Sequence, residues 1–231
     1  MREVVPQVYL MEGLRGANAY LLTSGGELTL IDGGLPGDAD RIAEQILDSD
    51  HALSELRTIV VTHTHGDHAG GVPELARRSG ADVVAHRDEV PYVEQTTALP
   101  GKSFIRRLLN WMSTRLVFGA SGCEVNRAVQ DGDVIDALGG LRVIHTFGHT
   151  PGSISLYQPD REILLCGDAL FNANPMGGSP GLRLPIPLFT WDRDRARDAA
   201  ARLAALPIQV LCCGHGEPIL EGAEEAIEAL L

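Results

Sequence analysis

Nine residues, Thr62-His63-Thr64-His65-Gly66-Asp67-His68-Ala69-Gly70, constrain this chain more than any other stretch. Three imidazoles and one carboxylate fall within six positions, directly after the apolar run Ile59-Val60-Val61. Imidazole nitrogens and carboxylate oxygens are the donors that a borderline divalent metal takes. On an extended segment side chains two apart point the same way, so His63 and His65 can grip one ion together. Asp67 and His68 follow where the strand gives way to a turn, and they can face a second ion. The plain alternative is a polar loop that happens to be rich in histidine. The whole chain holds eight histidines, so three within six residues is not scatter.

A chain of 231 residues suits one large domain better than two small ones. Only 5% of it is aromatic, so its core must be built from Val, Leu, Ile and Ala. The formal charge of −12 argues against nucleic acid, whose phosphates it would repel. Met1-Arg2-Glu3-Val4-Val5-Pro6 lacks the apolar centre of a signal peptide, and no run reaches the length of a membrane span. Cys123, Cys166, Cys212 and Cys213 show no C-x-x-C spacing, and Cys166 and Cys212 sit in apolar runs. These features predict a reduced, cytoplasmic protein.

The pattern predicts a strand over Val4–Leu10, then Asn18–Thr23 and Glu27–Ile31 joined as a hairpin through Ser24-Gly25-Gly26. Asp32-Gly33-Gly34 ends the second of these. An amphipathic helix runs from Asp38 to about Ser49, with Ile42, Ala43, Ile46 and Leu47 on one face. Thr58–Val61 is a buried strand that delivers the histidine segment. A helix through Glu74–Arg78 and a strand over Ala81–Ala85 follow. Residues 87–127 look different: Pro91, Pro100 and Gly101 break the pattern, then Ser103–Phe118 is helical. That helix reads as a lid over the site, with a homodimer surface and a membrane-surface helix as alternatives. The second half repeats the first in outline. Hairpins pair Val134–Ala137 with Leu141–Thr146 and Ser153–Tyr157 with Ile163–Leu165; helices cover Arg193–Leu206 and Glu221–Leu231, around a strand over Ile208–Cys212. Its strands end at His149, at Asp168 and at Gly214-His215-Gly216.

Every strand-end polar residue is thus a metal-ligand type beside glycine. His63-x-His65-x-Asp67-His68, Gly148-His149-Thr150-Pro151-Gly152, Gly167-Asp168 and Gly214-His215-Gly216, with Asp32-Gly33-Gly34 before them, resemble the motifs of the metallo-β-lactamase fold hydrolases. The resemblance runs from about residue 8 to residue 218. It implies an α/β (α+β) fold, a four-layer αββα sandwich, as a single domain over 1–231 with a helical lid-like insertion at about 87–127. It further implies two divalent ions, with zinc expected and iron or manganese as alternatives. His63, His65 and His149 would hold the first, Asp67, His68 and His215 the second, and Asp168 would bridge them. A bridging hydroxide would attack the substrate, Asp67 would also orient it, and Asp32 would hold the metal loop from behind.

The details of the resemblance narrow the activity. His65 stands where diiron electron-transfer members carry Glu. Asp168 stands where true β-lactamases have Cys or Ser, and matches instead the glyoxalase II, lactonase and phosphodiesterase branches. Lactonases of that branch place a Tyr three residues after the bridging Asp, and here the residue is Phe171. The reading is a metal-dependent hydrolase of a small ester, thioester or lactone. The alternatives are a phosphodiesterase and a persulfide-type dioxygenase with one iron on His63, His149 and Asp168. The partner is a small-molecule substrate, with no nucleic acid and no stable membrane insertion.

Two patterns mislead. Gly177-Gly178-Ser179-Pro180-Gly181 matches a nucleophile elbow, but Pro180 lacks the N–H that an oxyanion hole needs. Gly101-Lys102-Ser103 lacks the earlier glycine of a phosphate loop, because residue 96 is Thr96. His51, His86 and His145 stay off the ligand set. Arg15 and Arg183 could bind an anionic part of the substrate, although each reads first as an ordinary surface arginine.

Overall fold

The computed structural model describes residues 1–99, 121–173 and 181–231. The helix expected over 103–118, and so most of the lid-like insertion, lies outside the described residues, as does Ser179 of the elbow pattern. The chain forms two compact units, Met1–Val129 and Gln130–Leu231.

The first unit carries a seven-stranded sheet in the order β1-β2-β3-β4-β5-β6-β7. Its strands are β1 Arg2–Val5, β2 Val8–Leu10, β3 Tyr20–Ser24, β4 Glu27–Ile31, β5 Leu56–Val61, β6 Asp82–His86 and β7 Arg127–Val129. The single strand expected over Val4–Leu10 is two, because the chain turns at Pro6-Gln7, with Gln7 at φ +69°. β1 to β4 are antiparallel, and β4 to β7 are parallel. Parallel strands are covered on both faces, which is why Ile59, Val60 and Val61 are all fully buried. Helices α1 Ala39–Leu47 and α3 Val72–Ser79 turn Ile42, Ala43, Ile46, Val72 and Leu75 into the same core as Leu28, Leu30, Ile59 and Val61. The helical spacing of α1 thus does what its sequence pattern requires. Leu47 is the exception, at the helix end and exposed.

The parallel register fixes the working edge. Ile31 lies beside Val60 and Val61 beside Ala85, so the chain leaves β4, β5 and β6 at neighbouring points of one edge. In sheets of this kind functional groups collect at the carboxyl ends of the strands. Asp32, the Thr62–Gly70 segment and Glu89 all follow these ends.

The second unit carries a five-stranded sheet in the order β12-β11-β10-β9-β8. Its strands are β8 Val134–Ile135, β9 Leu141–His145, β10 Ile154–Gln158, β11 Ile163–Gly167 and β12 Val210–Cys213. β8 to β11 are antiparallel, while β11 and β12 run parallel with Gly167 opposite Cys213. That pairing sets Gly167-Asp168 beside Gly214-His215, and Gly214 N donates to Gly167 O at 2.8 Å. Helices α5 Arg193–Ala204 and α6 Ala223–Glu228 close the core through Ala200, Leu203, Ala223 and Ile227. The last helix is shorter than its sequence suggests, starting only after Gly222 at φ +72°. Among the described residues no helix is long and apolar enough to cross a membrane.

Candidate metal centre

In the first unit the ligand segment leaves β5 as an extended stretch and winds into the single turn α2, Gly66–Ala69. His63 and His68 are fully buried, and His65 and Asp67 are partly exposed. His63 Nε2 lies 3.1 Å from His65 Nδ1. Two ligands each about 2.0–2.1 Å from one tetrahedral ion sit about 3.3–3.4 Å apart, so this spacing suits a shared metal. Asp67 and His68 also bring ligand atoms within 4.8 Å of each other.

Asp32 organises this segment. It is buried, at φ +61°, in the left-handed region that Asp tolerates better than most residues. Its Oδ1 accepts the Thr62 amide at 2.8 Å. Its Oδ2 accepts the Thr62 hydroxyl and His68 Nδ1, both at 2.7 Å. A carboxylate only accepts, so His68 carries its proton on Nδ1 and offers the Nε2 lone pair. The Thr62 hydroxyl has spent its proton on Asp32, so at 3.1 Å it accepts from His63 Nδ1–H. One buried carboxylate therefore sets the tautomers of two candidate ligands, the role such partners play at metal sites. The expectation that Asp32 holds the metal loop agrees with this geometry.

Glu89 gives the segment a second support that its sequence context does not signal. Glu89 is fully buried, and its Oε1 accepts the amide of Thr64, between His63 and His65, at 2.9 Å. Only the parallel pairing of β5 with β6 brings it there. A glutamate just before Val90-Pro91 otherwise reads as the start of the short helix α4, Val90–Val93.

In the second unit Asp168 stands between two histidines. Its Oδ2 lies 3.3 Å from His149 Nε2, and its Oδ1 lies 3.6 Å from His215 Nε2. His149 and Asp168 are buried, and His215 is partly exposed. His149 is held through its backbone by the residues that lead into α5: Trp191 N donates to His149 O at 2.9 Å and Asp192 N to Gly148 O at 2.8 Å. Gly148, at φ +144°, packs so closely on the backbone of Ala196 that a Cβ would collide with it. The ring of Phe171 stands 4.8 Å from that of His215 and 6.3 Å from that of His149, an apolar wall beside both. The donor set fits divalent metal: imidazole nitrogens and carboxylate oxygens, mostly buried and at ligand spacing within each unit.

Residues 13–215 match the family model of the metallo-β-lactamase superfamily. The chain belongs to this superfamily. Among curated members, the probable metallo-hydrolase YflN of Bacillus subtilis is 31% identical over 88% of this chain and 81% of its own length. A hydroxyacylglutathione hydrolase of Pseudomonas putida is 30% identical over 78% of this chain and 54% of its own. The bovine acyl-coenzyme A thioesterase MBLAC2 is 31% identical over 78% and 60%. A family protein of Thermus thermophilus superposes over 98% of this chain and 79% of its own with a TM-score of 0.75 at 24% identity, a likeness of fold. BJP-1, a subclass B3 metallo-β-lactamase of Bradyrhizobium japonicum, gives a TM-score of 0.68 at 26% identity over 92% and 76%. The mixed α/β fold expected from the motifs is therefore that of this superfamily.

Proposed function

We propose that this metal-dependent hydrolase works with two divalent ions, zinc by preference, and cleaves a small ester, thioester or lactone. His63, His65 and His149 would hold one ion; Asp67, His68 and His215 would hold the other; Asp168 would join both. The observation that carries this reading is the division of Asp168 between two histidines, one oxygen toward each. A carboxylate serving one ion has no need of a histidine at each oxygen, which favours two ions over a single iron on His63, His149 and Asp168.

When bound, such ions would lower the pKa of a bound water from about 15.7 to about 7 and polarise the scissile carbonyl. The chain's own residues do the rest. Asp32 and Thr62 keep protons off His63 Nε2 and His68 Nε2. Asp67 orients the attacking water through a carboxylate oxygen, and hands the proton it takes up to the departing oxygen or sulfur. Phe171, beside His149 and His215, keeps that flank dry and offers no hydroxyl to the substrate. The names of two relatives, a hydroxyacylglutathione hydrolase and an acyl-coenzyme A thioesterase, favour a thioester among the three substrate types.

The test is elemental analysis and a substrate panel on one sample. Two ions per chain, with turnover of thioesters or lactones but not phosphodiesters, is the expected result. His63→Ala, Asp67→Ala and Asp168→Ala should each abolish turnover and lower metal content. One iron per chain, or full activity in Asp67→Ala, would overturn the reading.

A further inference from the structure

The loop between β2 and β3 is fastened to the metal-ligand segment within the first unit. Ala17 N donates to the carbonyl of Asp67 at 3.1 Å, and a Cβ on Gly16 would meet that same oxygen at 2.7 Å. A buried carboxylate, Asp38, pins the loop from below. It accepts the amides of Arg15 and Gly16 at 3.1 Å and of Leu35 at 2.9 Å. Asp38 is only 2% exposed, a costly position for a charge that serves shape alone.

The same carboxylate meets Arg15 Nε at 3.4 Å, while 67% of the Arg15 side chain faces solvent. The guanidinium is thus held at its Nε edge by Asp38, while most of the side chain stays open to solvent. It lies across Gly37, where a Cβ would collide with Nη2, so the glycine clears the space it occupies. Arg41, exposed on α1, reaches the same loop and donates from Nε to Glu12 O at 3.4 Å. Two guanidinium groups therefore stand on one loop of a chain whose net charge is −12. Charge steering at long range would repel an anion, so an anion bound here is held by short-range contacts.

We infer that Arg15 is a specificity-determining residue that binds an anionic oxygen group, carboxylate or phosphate, on the substrate. The inference rests on the hydrolase reading above. The place of Arg15 near the candidate ligands is set by the backbone bond from Ala17 to the Asp67 carbonyl, which ties the Arg15 loop to that segment. Arg183 belongs to a different loop, where its Nε donates to the carbonyl of Gly181 at 3.2 Å, two residues away.

The metal-loaded protein is compared on three thioesters with one acyl group: acetyl-coenzyme A, S-acetylglutathione and the neutral S-acetyl-N-acetylcysteamine. Binding of S-methyl-coenzyme A and S-methylglutathione is measured by calorimetry alongside. In Arg15→Met, kcat/KM for one anionic thioester relative to the neutral one falls about tenfold, and Kd for the matching S-methyl thioether rises about tenfold. Which pair responds tells phosphate from carboxylate. Gly37→Ala, which displaces the guanidinium but keeps its charge, shifts both readings in the same direction. Arg57→Met, at the start of β5 and away from the loop, shifts neither. Changes below twofold in Arg15→Met, or equal effects on all three thioesters, would overturn the inference. If no thioester is cleaved yet Arg15→Met still loses thioether binding, the thioester reading fails and the anion site stands.

Discussion

Replacing Asp32 by Asn is the most informative single change in the first unit. Asn keeps the size and the left-handed backbone, but it exchanges one acceptor oxygen for a donor. The remaining oxygen can keep the Thr62 amide. The new amino group then faces the Thr62 hydroxyl and His68 Nδ1, both of which now donate to Oδ2. His68 must shift its proton to Nε2. The Thr62 hydroxyl, freed, donates to His63 Nδ1 and drives that proton to Nε2 as well. Both candidate ligands end with a proton on the lone pair a metal needs. Two charge-assisted bonds, each worth about 1.5–3 kcal/mol, are lost, and relief from burying a charge offsets part of this. The metal-free protein should lose about 3 kcal/mol in urea titration. Competition with a chromogenic chelator should show both ions bound about 10- to 100-fold more weakly. Thr62→Val removes the hydroxyl that links Asp32 to His63 but leaves the bond from His68 to Asp32, and should weaken one ion and not the other. Two ions bound as tightly in Asp32→Asn as in the parent, with unchanged stability, would refute the account of Asp32.

Three further outcomes follow from the same geometry. Gly148→Ala forces a Cβ into the backbone of Ala196 and should destabilise the chain by about 3 kcal/mol or more, read by thermal unfolding; a loss below about 1 kcal/mol would show that α5 yields easily. Burial, with Glu94 adding to it, pushes the Cys123 thiol up to about 11. The thiol of Cys212 is raised by burial, and that of Cys213 first by its bond with Cys166 and then by burial. A chromogenic disulfide at pH 8 should therefore label fewer than one thiol per native chain within minutes and all four after unfolding. Burial alone would raise the Asp131 carboxyl, but the Arg202 side chain and the His145 amide outweigh it and hold Asp131 below the usual carboxylate range. Its contribution is present above about pH 3.9 and fades as pH falls through the lower folded value. Arg202→Met should thus lose less than about 1 kcal/mol at pH 7 and progressively less as pH falls below about 3.9, measured by urea titration; a loss that does not shrink with falling pH would contradict this.

What could be read without coordinates was whatever is local. The helical spacing of Ile42, Ala43 and Ile46 and the ligand types at the ends of β5, β11 and β12 depend on neighbours in sequence, and the structure agrees with them. Asp32 was legible because a carboxylate before two glycines at a strand end marks a turn with a task. Glu89 was not: its value comes from the register that sets β6 beside β5, and its own neighbours look like an ordinary helix start. The break at Pro6-Gln7 was hidden because Val4, Val5 and Val8 suit a strand on either side of it. The mounting of Arg15 needed Asp38 and Gly37, more than twenty residues away along the chain.

The central claim is that one carboxylate, Asp168, serves two ions. Diffraction at the absorption edge of zinc, from crystals grown with excess metal, tests it most directly. The account predicts two anomalous peaks about 3.5–4 Å apart with one oxygen of Asp168 at each. A single peak, or His215 turned away from the metals, would contradict it.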